Sequence, residues 1–104
     1  MNIQIRELSG EVTDVLRAHV NRRLDFALGR FGELVGQVRV RLSRTRGRLS
    51  GVNKRCEIEV ELDRQTVRAE NTDADALVAV SHAVAQLKRS VSRELARQRA
   101  WSQA

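Results

Sequence analysis

The chain has 104 residues, of which 41% are apolar and 31% charged, and this composition predicts a folded protein with one modest core. Nineteen Lys and Arg face thirteen Asp and Glu, and the net charge of +6 favours a polyanionic partner. The one cysteine excludes an internal disulfide and a cysteine-based zinc cluster. No apolar run approaches the ~18 residues of a membrane span, and no targeting segment is recognisable. We therefore expect a soluble cytoplasmic protein without a membrane partner, organised as a single domain over residues 1–104.

The chain begins with a predicted strand and helix. Ile3 and Ile5 alternate with polar residues, so residues 2–6 are predicted to form a strand. Thr13 is a candidate N-cap, and apolar residues every three or four positions then predict a helix over about residues 14–30.

Three further strands follow in the predicted order. Residues 37–44, 56–63 and 66–71 each alternate between apolar and polar side chains, as half-buried strands do. Between the first two lies TRGRLSGVNKR, residues 45–55, whose glycines and cations predict a flexible loop.

A long helix closes the chain. Asp73 or Asp75 is a candidate cap, and an apolar seam with helical spacing runs from Leu77 to Leu95. The order β-α-β-β-β-α predicts a two-layer α+β domain, with a four-stranded mixed sheet and both helices on one face. The first two strands should be parallel and the others antiparallel, which would place Arg39 and Arg41 opposite outward glutamates.

The last helix also carries a basic stripe, which we define as Arg89, Arg93 and Arg97. Spacing by four places these residues on one face, opposite the apolar seam, with Lys88 beside them. Because Glu94 is the only acid after Asp75, ion pairs within the helix are scarce. The stripe is therefore a candidate anion-binding surface, and a solvated helix surface is the alternative.

Two other basic clusters are weaker candidates. The predicted loop contains Arg44, Arg46, Arg48, Lys54 and Arg55 without an acid, and it could bind phosphate or only improve solubility. The other cluster lies on the first helix and consists of Arg17, Arg22, Arg23 and Arg30. Nearby acids partly offset its positive charge.

No pattern predicts an enzyme. His19 and His82 have no patterned nucleophile or carboxylate partner, and neither a metal-ligand spacing nor a phosphate-binding glycine loop occurs. Cys56 falls on the inward side of its strand and is predicted to be a core residue. Trp101 is expected to pack on the end of the helix, with stacking on a base as the alternative. We expect no catalysis, cofactor, metal or small-molecule substrate.

The order of elements and the two helix sequences together resemble the ribosome hibernation-promoting factors. This family includes the ribosome-associated translation inhibitors, also called sigma-54 modulation proteins. The resemblance extends over residues 3–99, and its motifs are diffuse. It rests on VTDVLRAHVNRRL and DALVAVSHAVAQLKRSVSREL, in which the matching residues are Thr13, Leu16, Arg17, Val20, Arg23, Leu24, Asp75, Val80, Leu87, Arg89, Val91 and Arg93, together with Phe31. The chain departs from the family pattern at Glu7, Leu77 and Gln86.

This resemblance implies a fold similar to double-stranded RNA-binding domains and a non-enzymatic inhibitor of translation. Members bind the small ribosomal subunit between head and body, where they cover the A and P sites and preserve idle ribosomes. Their basic helix faces meet 16S rRNA phosphates, which would be the role of the basic stripe here. By its length the chain resembles the short form, so we expect a monomer that does not bridge two ribosomes.

Two other functions remain open at this stage. The outward face formed by Glu57, Glu59 and Glu61 could dock a basic protein partner. The chain could also be a generic binder of double-stranded RNA.

Overall fold

The structure is a computed structural model, and it describes residues 1–7, 13–47 and 51–103. A short 3-10 segment, Gly29–Leu34, extends the first helix. The other elements are β1 (Asn2–Glu7), α1 (Asp14–Leu28), β2 (Gln37–Gly47), β3 (Gly51–Glu61), β4 (Thr66–Asp73) and α2 (Ala76–Gln103). The predicted order β-α-β-β-β-α is confirmed.

The four strands form one mixed sheet in the order β1-β2-β3-β4. β1 and β2 are parallel because α1 crosses between them, whereas β2, β3 and β4 form an antiparallel meander. Arg39 lies opposite Glu59 and Arg41 opposite Glu57, as the alternation predicts.

Both helices cover the same face of this sheet. Val38, Val40, Ile58 and Val60 point inward from the central strands and are essentially inaccessible to solvent. They belong to one apolar cluster with the seams of α1 and α2, including Leu24 and the equally buried Leu87. The other sheet face carries no helix within the described ranges and is lined mainly by charged and polar side chains. The predicted α+β two-layer arrangement is therefore correct.

Side-chain caps fix where the two helices begin. The Thr13 hydroxyl accepts a hydrogen bond from the Leu16 N–H at 3.1 Å. At the second helix the Asp75 carboxylate accepts from the Leu77 N–H, and Asp73 accepts from the Asp75 N–H, both at 2.8 Å. Both candidate aspartates thus satisfy backbone donors at this end of α2.

The prediction of a flexible loop over residues 45–55 is wrong. Register pairs of Arg44 with Lys54 and of Arg46 with Val52 show that β2 and β3 continue as a paired hairpin as far as Gly47 and Gly51. Ladder hydrogen bonds join backbone groups, so this extension needs no apolar side chains to hold it. Residues 48–50, and with them the candidate Arg48, lie outside the described residues.

Cys56 is a core residue, as predicted. Its side chain is buried, and burial raises the pKa of the thiol to about 12, with the nearby charge of Glu57 adding to the effect. The unfolded chain therefore loses this proton first as the pH rises. The stabilisation is complete below about pH 9 and is lost progressively towards pH 12.

We predict that the free energy of unfolding falls from about pH 8 to about pH 10 more steeply for the wild type than for Cys56→Ala. Urea unfolding of both proteins at the two pH values measures the difference. All other ionisable groups are the same in the two proteins, so their contributions cancel in this comparison. Equal pH dependence in the two proteins would show that the folded state does not hold the thiol proton more tightly than the unfolded state.

Candidate nucleic-acid interface

Helices α1 and α2 lie side by side and run in the same direction. Arg23 donates to the Ser81 hydroxyl from Nη2 at 2.9 Å and from Nε at 3.2 Å, and His19 lies 3.3 Å from the same oxygen. Further along both helices, Arg30 donates to the Ser92 hydroxyl at 3.2 Å. These contacts hold two cations of the α1 region against the outer surface of α2.

The basic stripe is exposed, as its spacing predicts. Arg89 and Arg93 border a shallow depression with the half-buried Lys88 and with Ser92. Arg93 and Arg97 border a second depression against β4. The stripe therefore turns gradually from the side of α1 towards β4, since a four-residue step exceeds one helical turn by about 40°.

The members of the stripe differ in their ion pairing. Arg97 Nη2 lies 2.9 Å from Glu94 Oε2, so the only acid in α2 neutralises this arginine. Within the parts of the chain that the structure describes, Arg89, Arg93 and Lys88 have no ion pair and no side-chain hydrogen bond. Three uncompensated cations therefore lie together on the outer surface of α2.

The cluster predicted on the loop does not form one surface. Strand alternation places Arg44, Arg46 and Lys54 on the helix side of the sheet and Arg55 on the opposite side. The Arg55 guanidinium donates a hydrogen bond to Glu70. This bond raises the pKa of Arg55, and the charge of Glu57 adds to the effect. Arg55 is therefore held by acids of the open sheet face.

The arginines of α1 are all exposed but do not share a direction. Arg23 faces α2, whereas Arg17 lies about 120° around the helix from it. The two therefore cannot act as a pair on one face. Arg22 lies one helical turn before Phe26 and next to Arg23 in the sequence.

Phe26 is a surface feature that sequence analysis missed. Its side chain is 82% exposed, one turn from Arg22 on one side and one turn from Arg30 on the other. Arg30 also covers the ring of Phe31, with 4.7 Å from its guanidinium carbon to the ring centroid. The sequence did contain a signal for this feature, because Phe26 does not belong to the apolar seam that includes Leu24. A large aromatic side chain on a charged helix face is unusual.

The acidic row on the open sheet face is largely neutralised within the chain. Glu59 contacts Arg39 at 3.3 Å and Arg68 at 3.0 Å. Arg39 also lies 3.1 Å from Glu61. Glu57 is 3.5 Å from Arg55. This network of ion pairs weighs against a free acidic surface for a basic partner.

Two other kinds of site were sought in the described ranges. Among these residues no cluster of His, Cys, Asp or Glu has an arrangement that could hold a metal ion. Neither α1 nor α2, as described, has the length and apolar character needed to cross a membrane.

Comparison with known proteins gives a family. The family model of the sigma 54 modulation protein / S30EA ribosomal protein matches residues 1–99. The N-terminal domain of Protein Y from Thermus thermophilus is 34% identical, with a TM-score of 0.73 over 89% of this chain and 98% of that one. A ribosomal subunit interface protein from Coxiella burnetii has the same fold, with 17% identity and a TM-score of 0.78 over 92% of this chain and 99% of that one. No match was found among curated protein sequences. Because the family model spans nearly the whole chain, this protein belongs to the sigma 54 modulation protein / S30EA ribosomal protein family.

Proposed function

We propose that the chain is a ribosome-associated hibernation factor that inhibits translation by binding rRNA of the small subunit. The observation that carries this proposal is the segregation of charge. Among the described residues, Lys88, Arg89 and Arg93 form no ion pair on the helix surface, whereas most acids and arginines of the open sheet face pair with one another. A polyanion is therefore favoured on the helix side over the open sheet face.

Phosphate is the ligand that this helix surface suits best. Guanidinium groups form bidentate hydrogen bonds with phosphate oxygens, and each neutralised phosphate releases a condensed counterion. Arg23 and Arg30, fixed against α2 by Ser81 and Ser92, widen the cationic surface across both helices. Such contacts position a protein on a nucleic acid without reading its sequence.

Membership of this family favours the ribosome, and not duplex RNA in general, as the binding target. Relatives include a protein described as a ribosomal subunit interface protein. We propose the small subunit, in the channel that tRNA and messenger occupy, as the binding site, and a monomer in the cytoplasm as the active form. No step in this function requires catalysis or a cofactor.

Sedimentation of the purified chain with small ribosomal subunits at two salt concentrations tests the proposal. We expect co-sedimentation at low salt and a large loss at higher salt, because log K falls by about 0.9 per phosphate contact for each tenfold rise in salt. An absence of co-sedimentation at low salt would refute it. Equal competition by unrelated duplex RNA would instead favour a generic double-stranded RNA binder.

A further inference from the structure

Trp101 lies at the end of α2 and does not pack as the sequence suggests. Its side chain is 79% exposed, so the prediction that it covers the helix end is wrong. Leu34, which borders the same depression, is 58% exposed. Exposed aromatic surface of this size costs free energy in water and is common at binding sites.

A broad depression of about 1000 Å³ adjoins Trp101. It lies between the last turns of α2, the segment before β2 and the turn that joins β3 to β4. Its lining mixes apolar, charged and amide side chains, and the residues that matter here are Leu34, Asp63, Arg64, Glu94, Arg97, Arg99 and Trp101.

The charge around Trp101 favours an anion. Three arginines face two acids in this lining, and Glu94 already binds Arg97. That ion pair fixes the Arg97 guanidinium one helical turn before Trp101 on the same face. Arg64, in the exposed turn after β3, supplies a cation from across the depression.

We infer that this depression binds single-stranded RNA, with an unpaired base stacked on Trp101 and an adjoining phosphate at Arg64. Aromatic side chains flanked by arginines form such platforms, because every base has a stacking face while the backbone carries the charge. A duplex fits poorly, since its internal bases are already stacked on one another. An apolar protein partner would cover Arg64 and Arg99 without supplying an anion.

The inference extends the proposed function and rests on one part of it, namely that the chain binds RNA. Arg97 borders both this depression and the one that contains Arg93, so the two surfaces are continuous. Along α2 the distance from Arg89 to Trp101 is about 18 Å, which corresponds to about five stacked nucleotides. An rRNA helix on the basic stripe would thus place an adjoining unpaired strand at Trp101.

Tryptophan fluorescence tests the inference directly, because the chain has one Trp and no Tyr. The probes are an oligoadenylate of about eight nucleotides and a duplex of the same length. We expect the single strand to quench the emission of Trp101 in a saturable manner and the duplex to leave it nearly unchanged. Free oligonucleotides are used, so the result does not depend on ribosome binding.

Variants identify the contacts, with anisotropy of a labelled oligoadenylate as the readout. Trp101→Ala should weaken binding about tenfold, whereas Trp101→Phe, which keeps a stacking face, should stay within about threefold of the wild type. Arg64→Ala should also weaken binding. Arg6→Ala, which removes the same charge from an exposed position on the open sheet face, is the matched control.

Each outcome decides the question. Loss of affinity in Trp101→Ala with rescue in Trp101→Phe supports the inference. Unchanged emission with the oligonucleotide, in a protein that still co-sediments with small subunits, refutes it and leaves the proposed function standing. Emission that changes with protein concentration in the absence of RNA also refutes it, and assigns the depression to a second copy of the chain.

Discussion

Replacement of Arg89 and Arg93 by glutamine is expected to weaken binding to small ribosomal subunits by about a hundredfold or more. Each arginine is exposed and lacks an ion pair within the described residues, so its guanidinium is available to phosphate. A hydrogen bond to a charged group contributes about 1.5–3 kcal/mol, and two such losses give about 3–6 kcal/mol. Sedimentation at a series of subunit concentrations measures the change.

The salt dependence gives a second, independent readout of the same variant. Removal of two phosphate contacts should reduce the slope of log K against log salt by about two. A merely destabilised protein would not show this change in slope. Circular dichroism should confirm that the variant keeps the helix content of the wild type.

Arg6→Gln combined with Arg41→Gln provides the matched control. It removes the same net charge, but Arg6 and Arg41 are neighbours in the register of β1 and β2 on the open sheet face. We expect this variant to bind with nearly the affinity and salt slope of the wild type. Equal losses in the two double variants would mean that net charge alone attracts the chain, and the helix surface would no longer be the proposed interface.

The basic stripe could be located from the sequence because the spacing of its arginines and the spacing of the apolar seam both follow the helical repeat. Helical geometry fixes where residues at spacings of three and four lie, and burial of Leu87 and Val91 fixes which side faces the sheet. Arg89 and Arg93 then had to face solvent. The same reasoning identified the Asp75 cap and the alternation of β2, since these too depend on local geometry.

The pairing of β2 with β3 placed Arg39 and Arg41 opposite glutamates as expected, but other contacts between distant residues could not be predicted in this way. The Arg55–Glu70 pair depends on the register of β3 and β4, which turn geometry sets and composition does not. The extended hairpin after Arg44 depends on backbone pairing, for which its glycines and cations give no signal. Trp101 is exposed because α2 continues to Gln103 as a helix, and a side chain near its end can lack a partner.

Leu87→Ala is predicted to have a large effect on stability, lowering the free energy of unfolding by about 3 kcal/mol. Leu87 is fully buried in the apolar cluster that joins α2 to the sheet, and its truncation leaves a cavity as well as removing buried area. A small domain has about 5–15 kcal/mol of stability in total, so this change would remove roughly a fifth to three fifths of it. Urea unfolding measures the difference.

Leu77→Ala is the matched control, because it makes the same substitution in the same helix at a side chain that is 39% exposed. We expect a smaller loss of about 1–2 kcal/mol there, because the side chain is partly exposed and its truncation leaves no enclosed cavity. Since the seam of α2 holds the basic stripe in place, Leu87→Ala should reduce ribosome binding only at temperatures where the variant unfolds. If binding falls while the variant is still folded, Leu87 also affects how α2 presents Arg89 and Arg93, and the core and the interface are coupled.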